Sequence, residues 1–233
     1  MLHSPATYAA RARYLPFAVF MGFIGIDEIL RYLAEQGLLT LTDTTLYYLY
    51  PIKTVAVASL LFHYRKEYRE LPLKDLANLP TTAASCLLGL LVFILWINMD
   101  WSFSGTGEPQ GFNPTLLPGS GVQIGMTAFR IAGAVLLVPL MEELFWRSFL
   151  MRYIIDHDFQ KQPIGAFTWA SFLITAALFG LEHHFILAGI TAGILYSLLL
   201  YRTRSIAQCI LSHAVTNLAL AIYVLYTGKW FFW

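Results

Sequence analysis

Seven apolar runs, near residues 14 to 34, 46 to 63, 79 to 99, 122 to 150, 164 to 182, 185 to 201 and 206 to 227, constrain this chain more than any other feature. A run of about 20 apolar residues spans the roughly 30 Å hydrocarbon core of a bilayer as a helix, and a helix satisfies its own backbone hydrogen bonds there. Only 12% of the residues are charged, where an ordinary soluble domain carries about 25%. The pattern predicts an all-α membrane protein, a polytopic bundle of about seven (six to eight) transmembrane helices with a polar cavity in its C-terminal half. Residues 1–233 read as a single integral membrane domain, with no soluble domain left over.

The formal charge of +1 and the absence of a basic run speak against nucleic acid as a partner; the lipid bilayer is the expected surroundings. Cys86 and Cys209 both lie in apolar runs, so neither a disulfide framework nor a clustered cysteine zinc site is expected. The first run lacks a small-residue cleavage site and reads as a retained helix rather than a signal peptide. Basic residues sit before the first run (Arg11, Arg13), after the second (Arg65, Lys66, Arg69, Lys74), after the fourth (Arg152, Lys161) and after the sixth (Arg202, Arg204). The positive-inside rule then predicts a cytoplasmic amino terminus and a carboxyl terminus on the outer side. The final "GKWFFW" reads as an aromatic interfacial anchor. The Gly/Pro-rich segment over residues 100–121 is either a lid or a plain connection.

Some intramembrane polar residues have structural readings. Asp27 and Arg31 are four apart and predict an ion pair, with Lys53 reaching Glu28 or snorkelling outward. Gly189 with Gly193, and Gly121 with Gly125, have the spacing that lets helices approach closely.

Three constellations in the second half carry chemistry. In "VPLMEELFWRSFLMR", Glu143 and Arg147 share a helix face as an ion pair, while Glu142 lies about 100° round and is left free. Pro139 cannot donate a backbone hydrogen bond and crowds the carbonyl of Val135, so local unwinding is expected just before the glutamates. In "FGLEHHF", Phe179 and His183 are four apart; in "CILSHAVTN", His213 and Asn217 are four apart on the last helix. Each alone has an ordinary packing role as its competing reading. Together they supply a base, an orienting ion pair, a second imidazole and donors for an oxyanion, a set suited to water attack on an amide.

The order Glu142-Glu143-x-x-x-Arg147, Phe179-x-x-x-His183, His213-x-x-x-Asn217 resembles the CAAX protease and bacteriocin-processing family of glutamic intramembrane endopeptidases. The resemblance covers about residues 122–227; residues 1–99 match no recognised family. It implies that Glu142, aided by His183, activates the hydrolytic water, that His213 and Asn217 form the oxyanion hole, and that Glu143 and Arg147 hold the site together. It also implies no cofactor, and a membrane-associated peptide or protein substrate, lipid-modified in some members.

Two other mechanisms use the same residues. Glu143, His183 and His213 could form an open three-ligand zinc site, against which stands the arginine beside the carboxylate. Cys209 precedes His213 by four and could pair with it as a thiol nucleophile, although a free cysteine is more often a small core residue. A non-enzymatic transporter or scaffold is the rival from another class, disfavoured because no related halves are seen. One difficulty is depth: counted along the helices, Glu142 lies mid-membrane but His183 lies near the far end of the fifth run. Convergence requires the fifth and sixth runs to form a shortened or tilted hairpin with a buried turn around residues 182 to 185.

Overall fold

A computed structural model of the chain describes residues 5–99 and 111–233. Residues 100–110, about half of the Gly/Pro-rich segment, lie outside the described residues.

The described chain is all helical, with no strand. Its longer helices are α1 (Pro5–Glu35), α2 (Thr44–His63, interrupted by a turn at Tyr48), α3 (Leu79–Asn98), α4 (Ser120–Ile155), α5 (Trp169–Leu181), α6 (Ile186–Thr203) and α7 (Ile206–Thr227). Five of these, α2, α3, α4, α6 and α7, are long and apolar enough to cross a membrane, which makes this a multi-pass membrane protein. Five candidate spans among the described residues stand against the expectation of about seven crossings. The long helix α1 carries Arg11, Arg13, Asp27, Glu28 and Arg31, and α5 has only 13 residues. At 1.5 Å per residue α5 is about 20 Å long, well short of the bilayer core. A short hairpin is present: α5 ends at Leu181, the chain turns through Glu182 to Phe185, and α6 returns beside it, but of the turn expected to be buried only Phe185 is, Glu182 and His183 being half-buried and His184 exposed.

Glycine sets how tightly the hairpin closes. A Cβ on Gly189 would lie 2.8 Å from Gly180 Cα, and one on Gly193 would lie 3.2 Å from Ala176 Cα. A Cβ on Gly121 or Gly125 would meet nothing within 4 Å among the described residues, so no close approach of described helices is seen there. The closest helix contact elsewhere is α3 on α7, where a Cβ on Gly89 would lie 2.3 Å from the Ser212 carbonyl oxygen. Thr216 Oγ1 donates to Gly89 O at 2.8 Å across the same contact, and Tyr196 Oη of α6 donates to Thr216 Oγ1 at 2.7 Å.

The first helix is fastened to α4 by charge. Arg13, 3% exposed, donates to both carboxylate oxygens of Glu70 (2.8 and 2.7 Å) and to Ser148 Oγ at 3.0 Å. Ser148 in turn donates to Glu70, and Arg152 donates to Ser148 Oγ at 3.0 Å. Arg13 is thus an internal tie as well as a member of the basic set before the first apolar run. Asp27 and Arg31 pair at 2.8 Å as expected. Lys53 forms no ion pair with Glu28 among the described residues; its ammonium lies 4.1 Å from the Phe20 ring centre and 5.0 Å from that of Tyr50.

The carboxyl-terminal aromatics are built into the bundle rather than only anchoring its surface. Phe232 is 8% exposed and packs with Phe185 and Val224, and Phe112 N donates to Trp233 O at 3.3 Å. The described part of the Gly/Pro segment is pinned on the same end by Tyr47, whose hydroxyl donates to Gly111 O at 3.1 Å.

The Gly89 contact is backbone against backbone, with no flexible side chain to yield. Gly89→Ala is expected to destabilise the protein by about 1–3 kcal/mol through overpacking, while Gly125→Ala leaves thermal unfolding unchanged; tryptophan fluorescence melts of the two purified variants check both.

Candidate functional site

Glu142 and Glu143 occupy a short α-helical stretch of α4 bounded by two π-helical ones, Gly133–Leu137 before it and Leu144–Leu150 after it. Such wide turns are rare and recur at functional sites. The first has a chemical cause in the sequence. Val138 N donates to Gly133 O, an i→i+5 bond, and in that register the donor for Ala134 O would be Pro139, which has no N–H. Asn217 Nδ2 of α7 fills the gap, donating to Ala134 O at 2.8 Å. The unwinding expected at Pro139 is thus present, but the carbonyl served from outside is that of Ala134 rather than Val135.

Glu143 is fully buried, and its Oε1 accepts from Arg147 Nη1 at 3.2 Å and from His213 Nδ1 at 3.0 Å. A carboxylate only accepts, so His213 carries its proton on Nδ1 and turns Nε2 toward Glu142 Oε2, 4.0 Å away. The imidazole is also stacked on Tyr196, ring centres 5.0 Å apart at 23°. Arg147, 2% exposed, donates to Gly193 O at 3.3 Å and lies 4.5 Å from the Phe179 ring centre and 5.5 Å from that of Tyr196.

Glu142 differs from its neighbour. Its side chain is 7% exposed; Oε2 of each glutamate is buried and accepts no hydrogen bond within the described residues, but Oε1 of Glu143 is doubly held whereas Glu142 has neither the arginine nor a hydrogen-bonded imidazole on it. Beside it stand Glu182 and His183, from the turn after α5: one ligand-type atom of each of Glu142, Glu182 and His183 lies within 4.8 Å of the other two. His183 Nδ1 is 2.7 Å from Phe179 O, an acceptor, so Nδ1 holds the proton and Nε2 is a free lone pair in the neutral ring. Trp96 closes on this imidazole edge to face, ring centres 5.1 Å apart. Glu182 Oε1 accepts from Trp146 Nε1 at 3.1 Å.

The structure therefore brings Glu142, Glu143, Arg147, His183 and His213 into one cluster, in which all but the half-buried His183 are buried and which His183 reaches through the short hairpin. Asn217 stands one turn beyond His213 with its amide directed to the backbone of α4. Glu182, Trp146, Tyr196 and Trp96 are the neighbours that sequence reading passed over. Glu182 had a signal, being an acid beside a histidine in an apolar run; the aromatic residues had none, since nothing distinguishes them from the other rings in their helices. The zinc set Glu143, His183 and His213 is not the one drawn together: Glu143 is occupied by Arg147 and His213, and the metal-capable trio among the described residues is Glu142, Glu182 and His183. Cys209 donates to Tyr196 O at 3.7 Å within an apolar cluster.

Residues 124–219 match the family model described as Type II CAAX prenyl endopeptidase Rce1-like. A CAAX-protease domain thus matches part of the chain, taking in every cluster residue from Glu142 to Asn217 and none of α1 to α3. No curated protein and no solved structure matches.

Asn217 serves an acceptor that has lost its own helix donor. Asn217→Ala is expected to lower stability by about 1–3 kcal/mol, the cost of leaving a buried carbonyl unpaired, and Asn217→Asp to do the same at neutral pH, where the carboxylate has no proton to donate; denaturant or thermal melts of the variants test this.

Proposed function

We propose that the chain is a metal-independent intramembrane endopeptidase that hydrolyses a peptide bond near the membrane surface. The observation that carries this is Glu142: a buried carboxylate with His213 Nε2 4.0 Å from its Oε2 and His183 within 4.8 Å, in a site where Oε1 of its twin Glu143 already holds both Arg147 and His213. Glu142 is the general base, and the lone pair of His183 helps to orient the attacking water. His213, when doubly protonated, donates from Nε2, and the second amide hydrogen of Asn217 is the other oxyanion donor. Glu143 and Arg147 are positioning residues that hold the His213 ring and the turn of α4. The whole of residues 1–233 acts as one membrane domain, with residues 122–227 as catalytic helices and 1–99 as support. The substrate is a membrane-associated peptide or protein, and the family match supports a lipid-modified one. Retention of the basic segments on the cytoplasmic side sets the amino terminus inside and the carboxyl terminus outside.

A second reading is favoured by the Glu142, Glu182 and His183 trio, which has the donor types of a catalytic zinc site. The two readings separate on a chelator.

Glu142→Gln keeps shape and removes the base. It is expected to abolish cleavage of a reconstituted peptide substrate while leaving the melting temperature within about 2 °C of wild type, a shift that corresponds to at most about 1 kcal/mol. Wild-type activity is expected to survive prolonged treatment with a strong chelator. Activity lost to the chelator and restored by zinc would move the site to the second reading.

A further inference from the structure

Away from the glutamates, α2 and α4 hold two cations for which the described residues supply no ion pair. The ammonium of Lys53 and the guanidinium of Arg130 both lie on the ring of Tyr50, 5.0 and 4.6 Å from its centre, with Phe20 and Phe112 as the other aromatic neighbours. Neither forms an ion pair within the described residues, and Arg130 Nε is buried with no acceptor. The nearby carboxylate, Asp27, is held by Arg31 at 2.8 Å. Aromatic faces attract a cation but do not cancel its charge, and two uncompensated cations sharing one ring inside a membrane bundle repel each other.

The same two helices bound an apolar groove of about 610 Å³, lined by Thr54, Ala58 and Leu61 of α2 and by Leu136, Leu137 and Leu140 of α4, with Arg65 lining it at the end away from Lys53. Tyr50 stands one turn before Thr54 on the same helical stripe, and Gly133 of α4 packs on it so closely that a Cβ there would lie 2.4 Å from the Tyr50 hydroxyl. An unneutralised cationic pair is thus followed, one turn along, by an apolar channel. That sequence of chemistries suits a molecule with an anionic head and a long hydrocarbon tail.

We propose that this is a phospholipid site: the phosphate of an anionic phospholipid is held between Lys53 and Arg130, and one acyl chain lies in the groove against Leu136, Leu137 and Leu140. A free phosphate would leave the groove unfilled, and an uncharged lipid would leave the cations unmatched. The tail would brace α4 between its first π-helical stretch and Glu142, so the lipid supports the helix that carries the glutamates without touching them. The site does not rest on the protease reading.

The test is native mass spectrometry of the full chain in a neutral detergent, titrated with phosphatidylglycerol, with diacylglycerol of the same chains, or with inorganic phosphate. One phosphatidylglycerol is expected to bind at least 10-fold more tightly than diacylglycerol, and inorganic phosphate is expected not to compete at equal concentration. The K53Q/R130Q double variant is expected to lose that preference, whereas K53R/R130K, which keeps both charges, retains it. Leu137→Trp, which fills the groove, is expected to weaken binding at least 10-fold with the cations intact. Equal binding of diacylglycerol, competition by free phosphate, or wild-type binding by K53Q/R130Q or by Leu137→Trp would each overturn the proposal. Loss of binding in Arg65→Gln with none in K53Q/R130Q would overturn it too, by moving the head to the other end of the groove. If K53Q/R130Q fails to fold, the Leu137→Trp and diacylglycerol arms still decide.

Discussion

The buried Glu143 carboxylate, accepting from both Arg147 and His213, is the interaction on which the C-terminal half depends. Removing a charge from water is costly, and a buried ion pair depends on further hydrogen bonds and ring contacts around it; Oε1 of Glu143 and the guanidinium have these, while Oε2 of Glu143 accepts none among the described residues. Here the partners come from three directions. His213 brings α7, Arg147 reaches the Gly193 carbonyl of α6, and Phe179 of α5 covers the guanidinium. Four helices meet because one carboxylate and one guanidinium have to be matched inside them. Glu142, on the preceding position, is left without an ion pair by the same arrangement, since Arg147 is already committed to its neighbour.

The path of α4 follows from a second constraint, the missing N–H of Pro139. A helix that cannot close its usual bond widens by one residue, and the exposed Ala134 carbonyl then needs a donor from elsewhere. Asn217 supplies it. This ties Asn217 to the shape of the glutamate-bearing helix as well as to any role it has toward substrate. It also places His213, one turn earlier on α7, at the height of Glu143. Tyr196 and Thr216 fix that helix from the other side through the Gly89 contact.

The family match begins in α4, yet the helices before it are fastened to the site-bearing part. Arg13 of α1 and Glu70 of the segment after α2 meet Ser148, one residue beyond Arg147. Residues 13, 70 and 148 share no local pattern, and in the sequence Arg13 is one more basic residue at the edge of an apolar run. Lys53 was legible as an intramembrane charge but its aromatic setting was not, because the rings that receive it belong to α1 and to its own preceding turn.

By itself the sequence determined what spacing and composition control. Apolar length dictates helices; the i,i+4 relation puts Glu143 with Arg147 and Asp27 with Arg31; proline requires a break before the glutamates; and the three constellations name the residues that gather. Depth counting even required a short hairpin, since His183 had no other way to reach Glu142. The tertiary structure decided the rest: that Glu182 joins the cluster, that Asn217 answers the Ala134 carbonyl, that Gly121 and Gly125 face open space, and that α1 locks onto α4. The reason is one of range. Helical periodicity relates residues within a turn or two, whereas a hydrogen bond from Arg13 to Ser148, or from His213 to Glu143, depends on how helices tilt and at what depth they cross, which only the packing of all of them together fixes.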